Sequence, residues 1–172
     1  MRFFLLIFFF FSLLNAGGMP NKYYKISSKE NRKNYFINHI YKNVYLHNKN
    51  ILNERNFILT TFRQGILHFN YDPLILKKLK ELQKKYKINN LFHLEEFLLK
   101  IDVVPPALAI AQAIVESGWG ESRFTKEANN LFGQWTYFGD GLIPQNRNEG
   151  ATHKIKIFDS LDESVYNYLL NI

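Results

Sequence analysis

The sequence contains no cysteine. That excludes disulfides, thiol nucleophiles, cysteine-bound metals and the modified cysteine of an N-terminal lipobox. Histidine is sparse: His39, His47, His68, His93 and His153 are scattered, with no HExxH or other ligand spacing. Neither a metal nor a cofactor is therefore expected. Acidic residues are in the minority, 15 against 22 basic ones, for a net charge of +7. A surplus of that sign reads either as a solvated basic face or as attraction to an anionic polymer or surface. No RNA-binding signature, zinc finger or basic heptad accompanies it, so nucleic acid is not an expected partner. No apolar run reaches the roughly 18–20 residues that a membrane-spanning helix needs. What is present is 47% hydrophobic and 22% charged residues over 172 positions, the balance of a globular domain of ordinary size plus an extension.

The extension is at the N-terminus. Arg2 precedes the run FFLLIFFFFSLL, which has the length and flanking charge of a signal-peptide core, and Ala16 is the expected last residue before cleavage. Residues 1–16 are thus read as a signal peptide, with an uncleaved inner-membrane anchor as the alternative. On either reading the chain is exported to the periplasm or cell envelope, and it meets a membrane only through this segment. Gly17, Gly18 and Pro20 then mark a linker.

Residues 17–101 read as a helical region. Ser27 with Glu30 has capping-box spacing, and Phe36, Ile37, Ile40, Val44 and Tyr45 follow at helical intervals. A second helix is expected over residues 49–63, stopped by Gly65. Asp72 before Pro73 is a helix start, an N-cap followed by proline at the first helical position. Another helix is expected over residues 91–101. None of these segments holds a catalytic constellation.

The informative stretch runs from residue 105 to 137, PPALAIAQAIVESGWGESRFTKEANNLFGQWTY. Pro105 and Pro106 open a helix that is apolar nearly all round, the pattern of a buried helix. It ends at Gly118, which puts Glu116 in the last turn. Gln112 lies one turn earlier on the same side, and Ala109 and Ala113 share the row of Glu116, leaving room for a bulky ligand. Cleaving a glycosidic bond needs a carboxyl that keeps its proton until it is given to the leaving oxygen. Apolar walls and the negative end of a helix both favour that state, and Ile114, Trp119 and Phe132 are the candidate walls. The alternative is a surface glutamate that merely ends a helix. Further on, Ser122 is placed to cap a short helix, Arg123–Ala128. Gly139, Asp140 and Gly141 form a turn. Residues 154–158 alternate as a strand, with Ile155 and Ile157 on one side. Ser160 with Glu163 is a second capping box, opening a helix whose apolar side carries Val165, Tyr168, Leu169 and Ile172.

The pieces PPALAIAQAIVESGWGESRF, NNLFGQW, DGLIP and EGATHKIKIFDSLDESVYNY, taken together, resemble the bacterial Bax-like proteins, of the glucosaminidase clan of family 73 glycoside hydrolases. The resemblance is strong from about residue 102 onward and looser over residues 33–55. It implies a mainly α, lysozyme-like fold with a small β-ribbon, its catalytic core spanning residues 102–172. It also implies an endo-β-N-acetylglucosaminidase type of activity, cleavage of β-1,4 bonds in the glycan strands of peptidoglycan, by a protein expected to be monomeric. Glu116 falls on the family's catalytic acid. Asn130 and Phe132 fall in its cleft-lining NLFG segment, and Tyr168 falls on a tyrosine typical of the family. Gln112, Trp119, Gln134, Trp135 and Tyr137 are further candidates for binding sugar. The second catalytic group is expected in the hairpin, at Glu149 or else Asp140, unless the substrate's own 2-acetamido group replaces it. Family members usually continue beyond a point equivalent to Ile172, so the core is expected to be incomplete at its C-terminus. Two alternatives stand beside hydrolysis: a lytic transglycosylase using the same acid, and an inactive glycan-binding fragment.

Overall fold

A computed structural model describes residues 17–65, 72–145, 147–148 and 150–172. The expected signal peptide, His68 and Glu149 lie outside the described residues.

One long helix is the spine. After the short α1 (Asn21–Tyr24), α2 runs from Lys29 to Arg63, 35 residues, about 50 Å at 1.5 Å per residue. The two helices expected here are one. Leu46, His47 and Asn48, between them, include no glycine or proline, so nothing interrupts the backbone ladder. The cap is Ser28, not Ser27: its side chain accepts from the Asn31 N–H. The buried residues Phe36, Ile40, Val44, Ile51 and Ile58 follow one another at intervals of four or seven residues, about one or two helical turns, a single apolar stripe down the helix. Against this stripe pack α1, α3 (Pro73–Lys85), α4 (Leu94–Lys100), α5 (Pro106–Ser117) and α7 (Leu161–Leu169). Between α5 and α7 come α6 (Arg123–Ala128) and three short strands, β1 (Trp135–Thr136), β2 (Gly141–Leu142) and β3 (Lys154–Lys156). The fold is mainly α with a small three-stranded antiparallel sheet, ordered β1-β3-β2.

The helix ends follow local chemistry. Asp72 accepts from the N–H groups of Leu74 and Ile75, with Pro73 at the first position. Ser122 caps α6 through the Thr125 N–H, and Ser160 caps α7 through the Glu163 N–H. Glu163 closes the second box by accepting from the Asp159 N–H, one residue before the cap. The helix expected to start at residue 91 begins later, at Leu94, because Glu96 turns back to accept from the N–H groups of Asn89 and Asn90 and holds that segment as a turn. Ile157 and Ile172, expected on apolar faces, are both exposed. Ile157 falls past the end of β3, and Ile172 past the end of α7.

Polar side chains of α2 fasten the chain that leads into α5. Arg55 donates to the carbonyls of Leu98 and Ile101, both at 2.6 Å, where α4 has no intrahelical donors left. Asn48 holds Val104 by both backbone groups, donating to its carbonyl at 2.7 Å and accepting from its N–H at 3.2 Å. These contacts fix the residue immediately before Pro105 and hence where α5 begins.

A charged cluster ties α2 to α3. Lys85 donates to both oxygens of Glu54, at 2.8 and 2.9 Å, and the Tyr86 hydroxyl donates to the same carboxylate at 2.6 Å. Burial, then the Glu54 carboxylate, push the Tyr86 phenol above its ordinary value. For Lys85 burial works the other way, but hydrogen bonds to Glu54 and Tyr166 outweigh it and the ammonium is raised too. Groups whose pKa is raised by folding contribute stability that is complete below their unfolded values and is lost as pH rises through the folded ones. Tyr23, Tyr24 and Tyr168 shift in the same direction through burial. The thermal midpoint is therefore expected to hold steady from neutral pH to about pH 9 and to fall above about pH 10, the ordinary range of these groups. Tyr86→Phe should make that alkaline fall shallower in a scan of midpoint against pH. An identical slope would remove Tyr86 from the account.

Candidate active site

The sequence ESGWG makes a tight reversal after α5. Gly118, Trp119 and Gly120 are three consecutive residues with positive φ, 55°, 63° and 80°. Such angles cost a non-glycine residue about 1–2 kcal/mol, and the surroundings of Trp119 offset that. Its ring meets Phe36 edge-on at 5.8 Å and lies 4.6 Å under the Lys33 ammonium, while Tyr23 donates to its carbonyl. Trp119 is thus an anchor between the reversal and α2, rather than part of one wall with Phe132. Gly120 also has no room for a side chain: a Cβ there would lie 2.9 Å from Met19 and 3.1 Å from Phe36. Ser117, fully buried, completes the turn by donating to the Ala113 carbonyl and accepting from the Gly120 N–H at 2.8 Å.

This reversal decides which side of α5 is open. Ala109, Ala113 and Ser117 are buried against α2. Leu108, Gln112, Val115 and Glu116 are exposed, so the helix is not buried all round as its composition suggested. The alanines shape the contact with α2 and do not line an open face. Glu116 sits beside them at the rim, in the last turn, with its carboxylate exposed rather than walled in. Among the described residues it makes no hydrogen bond and no ion pair.

The residue that comes up to Glu116 is Gly133. A Cβ at that position would lie 3.5 Å from Glu116 Oε2. Gly133 has φ +63°, a left-handed conformation that keeps the 130–134 loop tight beside the acid. Replacing Gly133 with alanine is expected to cost about 1–2 kcal/mol in urea denaturation, because a side chain disfavours that backbone conformation, and to lower turnover as the 130–134 loop beside Glu116 adjusts. Unchanged stability together with unchanged turnover would show that the loop needs no left-handed residue.

Asn130, expected to bind sugar, holds this loop instead. It is buried, donates to the carbonyls of Gln134 and Lys156 at 2.8 Å each, and accepts from the Gln134 N–H at 3.0 Å. All three of these hydrogen bonds go to backbone, and both of its donors are used. Leu131 packs in the core and donates its N–H to Ser164, a fully buried residue of α7. Phe132 stacks face to face on Tyr168, ring centres 4.0 Å apart and planes 7° from parallel. The Tyr168 hydroxyl is buried and has no hydrogen-bond partner among the described residues. Gln134 is partly exposed and reaches α7 by long contacts to Ser164 (3.4 Å) and Asn167 (3.5 Å), which leave its amide free to exchange partners.

The sheet carries the aromatic candidates outward. Trp135 is exposed and stacks one face on His153 at 4.3 Å, and Tyr137 is exposed just beyond β1. Asp140 is exposed in the turn leading into β2. The structure thus brings Glu116 together with Gly133, and Phe132 with Tyr168. It places Trp119 on α2 and Asp140 on a solvent-facing turn. Gly133 and Ser164 were not singled out in the sequence. The glycine in NLFG and the serine in ESV were the available signals.

The model of a family described as mannosyl-glycoprotein endo-beta-N-acetylglucosaminidase matches residues 93–172, which include Glu116, the 130–134 loop and α7. That match covers 80 of the 172 residues, and this stretch is similar to glucosaminidase-family domains. The family is one of glycan-cleaving hydrolases. Over 153 residues, 86% of its length, the chain is 29% identical to Protein bax of Escherichia coli (strain K12). The chain spans about half, 53%, of that relative's length. No solved structure matches.

Proposed function

We propose that residues 93–172 are a glucosaminidase-family domain and that the chain is an exported peptidoglycan hydrolase, cleaving β-1,4 glycosidic bonds with Glu116 as general acid. The observation that carries this reading is the placement of Glu116: an exposed carboxyl at the end of a rigid helix, 3.5 Å from the position of a Gly133 side chain, within the glucosaminidase-family region. A glycine there keeps any side chain of its own off the acid. Glu116 gives its proton to the leaving glycosidic oxygen as the bond from that oxygen to the anomeric carbon breaks. Positive charge develops on the anomeric carbon and is met by water, or first by the 2-acetamido oxygen of the same sugar. Water supplies the hydroxyl of the new reducing end, and its remaining proton returns to Glu116 or passes to a second carboxylate. Asp140 is the candidate within the described residues, and Glu149 is the other.

Two features of the 130–134 region support a polar ligand beside Glu116. The Tyr168 hydroxyl is buried without a partner among the described residues, a state that costs about 1–3 kcal/mol, and a ligand group reaching the Phe132–Tyr168 stack would satisfy it. Gln134, held only by long contacts, is placed to exchange them for an N-acetyl group. Trp135 and Tyr137 offer exposed aromatic faces for further sugars along a strand. The net charge of +7 favours association with the carboxylate-bearing wall polymer.

The test is incubation of the chain with purified sacculi, followed by mass spectrometry of the released fragments. New reducing ends on N-acetylglucosamine are expected. Anhydro-muramyl ends would replace hydrolysis by transglycosylation, and firm binding with no released sugar would leave a glycan-binding fragment.

A further inference from the structure

A recess of about 530 Å³ opens between α2 and α7, within the roughly 300–1,000 Å³ of small-ligand sites. It is not the site described above. On α7, Ser164 and Tyr168 face the 130–134 loop. Tyr166, two residues from each, points about 200° away at 3.6 residues per turn and lines the recess.

The chemistry of the walls is selective. Both basic side chains are already engaged: Lys85 by Glu54 at 2.8 and 2.9 Å, and His47 by Asp162 at 2.9 Å. An anion therefore finds no unpaired positive group in the recess. An apolar ligand fares no better, because it would strand two amides. Asn50 and Asn53, one turn apart on α2, are exposed into the recess and make no hydrogen bond among the described residues. Each amide offers two donors and one acceptor. Ser160 and the Glu163 carboxylate lie across from them at the start of α7. The Tyr166 ring is the aromatic part of the wall, 5.0 Å from the His47 ring and 5.2 Å from the Lys85 ammonium. Planar amides, a hydroxyl and a carboxylate around an aromatic ring match a neutral ligand with alternating donors and acceptors and one apolar face, which is the chemistry of a pyranose.

We propose that this recess is a second glycan site, separate from Glu116, that holds a neutral N-acetylated sugar of the wall polymer through Asn50 and Asn53. The identity of the sugar rests on the peptidoglycan reading above. A site on the opposite face of α7 keeps the protein on its polymer while Glu116 engages and releases bonds.

The probe is the β-1,4-linked tetramer of N-acetylglucosamine, added to the full chain carrying Glu116→Gln so that the ligand is not consumed. Saturable shifts are expected in the NMR signals of the Asn50 and Asn53 side-chain amides. Adding Asn50→Ala and Asn53→Ala together should weaken the retention of that chain on sacculi by about tenfold, the loss of two hydrogen bonds of ordinary strength. Both residues are exposed, so the thermal midpoint should stay where it was. Side-chain amides that do not move at saturating tetramer would overturn the proposal. So would undiminished sacculus binding by the triple variant, or shifts produced by free lysine and not by the tetramer. Because binding is read in a chain without its acid, failure of the parent chain to cleave sacculi would count against the hydrolase reading alone.

Discussion

Glu116→Gln is expected to lower release of reducing ends from sacculi by about 10²–10⁴-fold, the usual contribution of a positioned proton donor. Glutamine matches glutamate in shape and keeps its polar contacts, but it has no acidic proton to give. Because Glu116 makes no hydrogen bond or ion pair among the described residues, removing its charge takes nothing from the fold. The thermal midpoint of the variant should therefore match that of the parent, so that a loss of activity is a loss of chemistry. Glu121, five residues on, provides the control. It is ion-paired with Arg32 at 3.3 Å and Lys126 at 2.9 Å on the surface. Exposed pairs of this kind contribute about 0–1 kcal/mol, and Glu121→Gln should leave turnover unchanged. Equal rates for parent and Glu116→Gln would remove Glu116 from catalysis.

The second large effect is on the loop that meets the acid. Asn130→Asp is nearly isosteric, yet it replaces a donor by an acceptor against the carbonyls of Gln134 and Lys156. The Lys156 carbonyl loses its side-chain donor, at about 1–3 kcal/mol, and the Gln134 carbonyl is left with the Lys156 N–H alone. The new carboxylate is buried with only the Gln134 N–H to stabilise it. The expected cost is about 3 kcal/mol or more, a large part of the ~5–15 kcal/mol that holds a typical domain together. Urea denaturation measures it directly. Turnover should fall as well, because the loop that brings Gly133 to Glu116 loses its attachment to β3. Were Asn130 a sugar ligand instead, the same change would raise KM and leave the urea midpoint where it was.

Local signals carried much of the fold. Asp72 with Pro73, Ser122, Ser160 with Glu163, Pro106 and Gly118 all occupy the helix ends that their chemistry marks out. These devices act within a few residues, so they are readable in a single sequence. Predictions that depended on longer range fared differently. The break expected in the middle of α2 had no breaker residue behind it, and packing against several other helices keeps the spine continuous. The later start of α4 depends on one side chain, Glu96, folding back onto Asn89 and Asn90.

The candidate site divides along the same line. The sequence by itself determined that a glutamate closes an apolar helix, that glycine follows it, and that an NLFG segment comes next. Local conformational preference and the joint match to the glucosaminidase pattern are enough for that. Only the tertiary structure decided what each residue does there. Composition made α5 look buried on every side. Its contact with α2 uses one face, Ala109, Ala113 and Ser117, and leaves Glu116 at an open rim. Trp119 and Asn130 look equally suited to holding sugar when read in sequence. In the fold, Phe36 and Lys33 occupy the first, and the backbone of Gln134 and Lys156 occupies the second. A side chain's hydrogen-bonding capacity is a property of its type, but whether any is left for a ligand depends on neighbours that are distant in sequence. Asn130 and Lys156 are 26 residues apart, and Leu131 and Ser164 are 33 apart. Pairings at that distance are set by how the helices pack around α2, and no local pattern encodes them.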